Sequence, residues 1–454
     1  MKVSSFHNNH NVVGWAYLAT VSRIASGVLL LPLIIFSLPS KDVAFWSMLL
    51  SFSALIAVLD FGFSSAFKRN ISYVCTGVDG LSTVGIMTLD NDRESVNKNL
   101  FISLINAMKR LYAKLTLVGL FLFGIIGTFY IFSFLENHNL EIFEYILIWF
   151  VFLLVCLFSI YNFYLDAIIE GSGNIVIAKK IQVISALIYL FLGSISLIFN
   201  FGLLWVVISQ GISIIVGRVI SRVFISRNIT NGITYCGEKG DHENILNLIS
   251  PNAIRSGITG VGIYVLQRGP ILLSGLYLST DLFASLGITF QLVYIISNLS
   301  SIFLTASSPR LSSLFARGSY SEIRSIYLKG MFYVGLTYFV AFLILFFTSN
   351  LINSVLESSI NLLSGILLLL CFTSSLIQSL WIKSCGVISL SNEVPHLKST
   401  LISSIVVVVC VYIYFHFFTP ILINVFLICI AIDLIFNFWH WPKYLLVNKL
   451  NPNA

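Results

Sequence analysis

The feature that most constrains this chain is a recurrence of apolar runs about 20 residues long, each able to cross about 30 Å of hydrocarbon as a helix. They fall at about 12–37, 42–67, 115–135, 142–166, 182–200, 202–226, 250–277, 281–306, 330–350, 359–384, 399–418 and 420–441. In lipid every backbone N–H and C=O must find its partner within the segment or a closed barrel, so runs of this length predict helices. Of the 454 residues 57% are hydrophobic and 10% charged, against about 25% charged in soluble domains, which excludes a water-soluble core. The 38 Phe and 19 Tyr suit helices with sides in lipid and ends in an aromatic belt. The expectation is an all-α polytopic membrane protein of about twelve transmembrane helices.

Orientation follows from lysines and arginines, which concentrate in cytoplasmic loops. The loop from 68 to 114 holds Lys68, Arg69, Arg93, Lys98, Lys109, Arg110 and Lys114. Later even-numbered loops hold Lys179, Lys180, Arg227, Lys239, Arg310, Arg317, Arg324, Lys329 and Lys398, whereas the intervening loops hold only Lys41. Both termini are therefore expected in the cytoplasm. The net charge of +7 is explained by this loop bias, and nucleic acid is not an expected partner. The first run lacks a small-x-small cleavage site and is too long for a signal core, so it reads as the first span.

The two halves echo each other: 1–226 as a first six-helix bundle, 227–249 as a cytoplasmic linker and 250–454 as a second bundle. Each opens with a Gly-containing span carrying an internal arginine, turns tightly at Asp42 or Asp281, and returns through a Ser-rich span to a basic loop. In the first of those loops Phe101, Leu104, Ile105, Met108, Leu111 and Tyr112 recur at helical spacing among basic residues, which predicts an amphipathic helix on the membrane surface. Leu311, Leu314, Phe315, Ile323, Ile326 and Tyr327 form the counterpart. An even number of spans per half makes the repeat parallel, as in transporters whose halves rock about a central site.

An ionisable side chain within the bilayer costs at least about 2.5–3.5 kcal/mol, so each one should face protein or a water-filled cavity. Arg23 lies about eleven residues into the first span, about 16 Å deep at 1.5 Å per residue. Arg255 lies near the cytoplasmic end of the seventh span and Arg268 about 20 Å further along if that helix is continuous. Gly257, Gly260, Gly262, Gly269 and Pro270 argue against continuity, with Gly269 and Pro270 as the candidate hinge. A guanidinium fork matches a pyrophosphate, which makes Arg23, Arg255 and Arg268 candidate substrate contacts; each could instead pair with a carboxylate. Asp60 and Asp433, each about two turns from a span end, are candidate ion-coupling sites or partners for Arg23, Arg218 or Arg255. Arg218 is close enough to its span end to snorkel, and His416 reads as an interfacial residue.

The seven cysteines are scattered without CxxC pairs and read as small apolar core residues. Neither a P-loop, a zinc site nor a nucleophile elbow appears, so no metal, cofactor or direct ATP hydrolysis is expected.

Phe45-Trp46-Ser47-Met48-Leu49-Leu50-Ser51, leading into Leu59-Asp60-Phe61-Gly62-Phe63-Ser64-Ser65-Ala66-Phe67-Lys68-Arg69, resembles the second-span signature of Wzx-type polysaccharide flippases. These belong to the multidrug/oligosaccharidyl-lipid/polysaccharide (MOP) exporter superfamily. Asp166-Ala167-Ile168-Ile169-Glu170-Gly171-Ser172-Gly173-Asn174 is similar to that family's turn after span four. The second half matches only in architecture. The resemblance implies a MATE-like fold of two six-helix bundles in the bacterial inner membrane. It also implies transfer of an undecaprenyl-pyrophosphate-linked oligosaccharide from the cytoplasmic to the periplasmic leaflet by alternating access, driven by an ion gradient, beside a separate polymerase and chain-length regulator. Related flippases use cavity arginines, one on the first span, the placement Arg23 has here. A drug/cation antiporter of the same superfamily would call for a carboxylate-rich cavity. A membrane polymerase or ligase would call for a large periplasmic loop.

Overall fold

The computed structural model describes residues 9–75, 98–229, 241–356, 361–391 and 393–450, and every element in it is helical. In chain order the elements begin with α1 (Asn9–Ser37), α2 (Ser40–Val58), α3 (Phe63–Cys75), α4 (Lys98–Phe121) and α5 (Thr128–Asn137). They continue with α6 (Ile142–Tyr161), α7 (Phe163–Gly171), α8 (Ile175–Ile198), α9 (Leu203–Phe224) and α10 (Asp241–Tyr277). The remainder are α11 (Thr280–Ser300), α12 (Ile302–Arg317), α13 (Tyr320–Leu356), α14 (Gly365–Ser389), α15 (Leu397–Phe417), α16 (Leu422–Asp433) and α17 (His440–Lys443). Short π-helical turns join α4 to α5, follow α9, and flank α17.

Among the described residues, eleven helical runs are long and apolar enough to cross a membrane. The seventh expected span, 250–277, lies in α10, which is not one of the eleven; Gln267, Arg268 and several glycines dilute its apolar character. Large apolar side chains stand open on these helices, Phe129, Phe143, Phe347 and Ile435 among them. In water such exposure would be costly, whereas lipid tails are as apolar as the side chains themselves.

The chain separates into two compact units, and the division differs from the expected break between 226 and 250. The first unit comprises the chain up to Ser37 with Phe52–Gly257, and the second comprises Leu38–Ser51 with Ile258 onward. The boundary thus falls inside α10, and the first half of α2 belongs to the second unit. Local packing explains that assignment: a Cβ at Gly287 of α11 would run into Ser47 Oγ, so the two helices touch at a point only glycine permits. The Tyr264 hydroxyl donates to the Ser51 carbonyl at 3.2 Å.

In the first unit α1 packs along α8, α8 on α9, α4 on α6, and α3 on α7. Phe101, Leu104, Ile105, Met108 and Tyr112 all lie on α4, which runs without interruption into the third span, and all are buried. The stripe is therefore a packing face, and the expected membrane-surface helix is absent there: its apolar side found protein, while Lys109, Arg110 and Lys114 remain exposed. In the second unit the corresponding residues divide between α12 and α13 around Gly318, whose φ of +69° makes the turn. Leu311, Leu314, Ile323 and Tyr327 are buried there too.

The helix α10 is continuous over 37 residues through Gly269 and Pro270, which corrects the expectation of a broken seventh span. Gly269 serves close approach: a Cβ there would lie 2.7 Å from Val408 Cγ2 of α15. Span two does break, at Leu59–Gly62, where Phe61 and Gly62 take φ of +49° and +73°.

Candidate functional site

At the break in span two, Asp60 closes the new helix. Its Oδ2 accepts from the Ser64 amide at 3.2 Å, the arrangement of an N-capping carboxylate on α3. Its Oδ1 accepts from the Tyr112 hydroxyl of α4. Asp60 is thus bound to a helix end and a tyrosine, not to Arg23, Arg218 or Arg255 as pairing had suggested. The two segments that carry the family resemblance also meet. Glu170 bridges Lys68 at 2.7 Å and Lys179 at 2.9 Å, tying α7 to α3 and α8. Beside it, a Cβ at Gly171 would stand 2.8 Å from Ile71 Cβ and 2.9 Å from the Lys68 carbonyl oxygen. One turn earlier, Asp166 pairs with Arg218 at 2.8 Å, so Arg218 is committed rather than snorkelling. Arg222 donates to Asn162 Oδ1 at 2.7 Å.

The three arginines chosen from the sequence part company. Arg23 is exposed on α1, and among the described residues no carboxylate forms an ion pair with it. Arg255 is exposed on the part of α10 that belongs to the first unit. Arg268, in the second unit, is 6% exposed, with its guanidinium 4.8 Å from the ring centroids of both Phe290 and Tyr294. Two aromatic faces can hold a desolvated guanidinium in place of a carboxylate. In this conformation Arg268 is closed off from any bulky ligand, whereas the side chains of Arg23 and Arg255 are exposed.

Asp433 ends α16, just before the π-turn Leu434–Phe438, and is 1% exposed. Gln378 Nε2 donates to its Oδ2 at 3.0 Å and Trp381 Nε1 to its Oδ1 at 3.1 Å, both from α14. Asn437 lies one turn on, in the π-turn. Asn437 is held in turn by Ser403 at 3.0 Å and Ser399 at 3.2 Å, and Ser399 accepts from Trp441 Nε1 at 3.0 Å. Among the described residues no cation forms an ion pair with Asp433. Every partner is neutral, so a buried carboxylate is solvated by hydrogen bonds alone. π-turns recur where a helix is reshaped for function, and here one displaces the backbone next to the carboxylate.

A cavity of about 30 Å³ lies inside the second unit, walled by α10, α11, α14 and α16. Pro270, Phe290 and Gln378 line it, so the candidate hinge, a ring that stacks on Arg268 and a donor to Asp433 border one space. That juxtaposition was invisible in the sequence. Sequence reading also passed over Lys383, half-buried on α14, together with Gln378, Trp381 and Asn437. The Lys383 signal was present as a lone charge at the edge of an apolar run; the neutral donors carry no signal of their own.

The sequence matches no protein-family model and no curated protein, but solved structures share its architecture. An inward-facing multidrug-resistance MATE-family transporter of the MOP superfamily superposes with a TM-score of 0.66 at 14% identity, over 95% of this chain and 99% of that one. The lipid II flippase MurJ, in an inward closed conformation, gives 0.62 at 16% identity over 96% and 87%. This chain has the MOP-transporter fold. A third such structure, a MOP-superfamily transporter from Pyrococcus furiosus described as having a binding pocket of reversed polarity, gives 0.58 at 14% identity over 94% and 93%. The same fold thus occurs in a multidrug transporter and in a lipid II flippase, and a shared fold does not by itself select a function.

Proposed function

We propose that this protein is a flippase of the bacterial inner membrane, with both termini in the cytoplasm. It moves an undecaprenyl-pyrophosphate-linked oligosaccharide to the periplasmic leaflet by alternating access. The observation that carries this reading is Arg23: a guanidinium in a membrane span, exposed, and without a carboxylate pair among the described residues. A permanently charged group held that deep needs a water-filled cavity and an anion to meet, and a pyrophosphate matches its fork of donors. Arg255, also exposed, is the second contact, and Arg268 joins only after Phe290 and Tyr294 open. The polyprenyl tail stays among membrane lipids while the headgroup crosses. A separate polymerase and chain-length regulator act on the product.

Asp433 is the coupling site in this reading, because it is a buried carboxylate with neutral partners only, so no ion pair holds it in the charged form. Asp60 is a structural cap, engaged by Ser64 and Tyr112.

Full-length protein in proteoliposomes, supplied with a fluorescent undecaprenyl-pyrophosphate oligosaccharide, tests the assignment. Wild type exposes the probe on the opposite leaflet, and Arg23→Ala loses that activity while remaining folded in the membrane. Wild-type flipping by Arg23→Ala refutes the role of Arg23. Transport of organic cations in place of the lipid favours the multidrug reading.

A further inference from the structure

Gln378 touches both the buried carboxylate and the cavity against α10. Its Nε2 donates to Asp433 Oδ2 at 3.0 Å, and the residue lines the cavity together with Leu266, Gln267 and Pro270 of α10. A primary amide has one donating end and one accepting end. With the NH2 group spent on Asp433, the opposite end of the Gln378 amide is its carbonyl oxygen. Across the same space, α10 has a donor missing: Pro270 has no N–H, so the Leu266 carbonyl lacks the partner that residue 270 would supply in a helix. The Pro270 carbonyl itself accepts from Ser274 Oγ at 2.8 Å.

We propose that the Gln378 amide is a two-position relay that transmits the protonation state of Asp433 to the proline-freed carbonyl of Leu266 on α10. When Asp433 is ionised, both its oxygens accept, and Gln378 must present its NH2 group. When Asp433 takes a proton from water, the new O–H requires an acceptor. A half-turn of the Gln378 amide supplies its carbonyl oxygen to that O–H and aims the NH2 group into the cavity, where Leu266 C=O accepts it directly or through one water. The cavity of about 30 Å³ exceeds the roughly 10–15 Å³ that one water molecule needs. Gln378 neither gains nor loses a proton at any point, so it is a positioning residue. The segment it addresses lies next to Arg268, two residues beyond Leu266, so a proton taken up at Asp433 alters the backbone that holds a proposed substrate contact.

The surroundings leave this relay as the principal responder. Facing Asp433 are Gln378 and Trp381 of α14, Cys429 of α16 and Asn437 of the following π-turn. From α15, Ser399 and Ser403 reach Asn437, and Trp441 of α17 reaches Ser399. The nearest histidine in this chain of contacts, His396, lies against Trp441, not Asp433.

The inference rests on Asp433 being the protonation site, and two readouts separate the two claims. Infrared difference spectra of full-length protein in liposomes, taken on acidification, follow the protonated carboxyl band. Hydrogen–deuterium exchange of the 262–275 segment, corrected for intrinsic chemistry, follows α10. Wild type is expected to show both responses, and Asp433→Asn to lose both. Gln378→Met and Pro270→Ala should keep the carboxyl band and lose the α10 response. Pro270→Ala restores the N–H that satisfies Leu266 and favours the helix, so it tests the relay in a folded protein. An α10 response that persists in either variant, with the band intact, overturns the relay. Absence from wild type of a band that Asp433→Asn removes overturns the reading of Asp433, and the relay with it.

Discussion

Gly171→Ala offers the most direct test of how the first unit is assembled. The added Cβ would stand 2.8 Å from Ile71 Cβ, 2.9 Å from Ile71 Cγ2 and 2.9 Å from the Lys68 carbonyl oxygen. Carbon contacts are optimal at about 3.5–4.0 Å, so α3 and α7 must separate by roughly 0.6–1.2 Å. No rotamer change relieves this, because Ile71 Cβ and the Lys68 carbonyl are fixed to the backbone of α3. The separation also stretches the Lys68–Glu170 pair, now 2.7 Å. Overpacking of this kind costs about 1–3 kcal/mol. For a unit of this size, about 2 kcal/mol corresponds to a fall of about 4–8 °C in apparent Tm. Gly335→Ala is the matched control. It lies within α13, where an added Cβ meets nothing within 4 Å, so alanine should hold or raise the Tm through helix propensity, by up to about 1 kcal/mol. Intrinsic-fluorescence melts in one detergent at one scan rate measure both. An unshifted Gly171→Ala, or a fall of equal size in Gly335→Ala, would refute the close-approach argument.

Other residues give further expectations. Asp60→Ala should lower the Tm by the equivalent of about 1 kcal/mol through loss of the α3 cap while leaving the pH dependence of transport unchanged; a lost pH dependence would return Asp60 to the coupling site. Trp381→Phe removes one of the neutral donors to Asp433 and should cost about 1–3 kcal/mol in the same melt, whereas a neutral result would mean that the indole is dispensable to that carboxylate. His396 is buried at the start of α15 with Nδ1 unpaired, and burial pushes its pKa down to about 4 from an ordinary 6.5. The unfolded chain therefore binds the proton first on acidification. The stability contributed by neutral His396 is complete above about pH 6.5 and is lost as pH falls towards 4, by about 3 kcal/mol in total. His396→Phe should flatten that part of the Tm–pH profile, and an unchanged slope would remove His396 as its source.

Much of the site's chemistry was legible one residue at a time. Arg23, Arg268, Asp60 and Asp433 stand out because a charge in an apolar run must be accommodated somehow. What accommodates it was not legible. Trp381 and Gln378 lie 52 and 55 residues from Asp433, and Tyr112 lies 52 residues from Asp60. Neutral donors of this kind are common in any span, and only packing singles them out. The amphipathic stripe from Phe101 to Tyr112 had the correct period and the wrong partner, because periodicity states that a face is buried and not whether lipid or protein buries it.

The sequence by itself determined that this chain is a set of membrane-length helices, since backbone hydrogen bonding in lipid is settled within each segment. It also marked where charge would need a reason. Only the tertiary structure decided which arginine is open and which is sealed between aromatic rings, that α10 runs unbroken through Pro270, and that Asp433 is held by neutral donors beside a cavity. Those outcomes depend on helix faces brought together from distant parts of the chain, where fit and hydrogen-bond geometry, not local composition, select the partner.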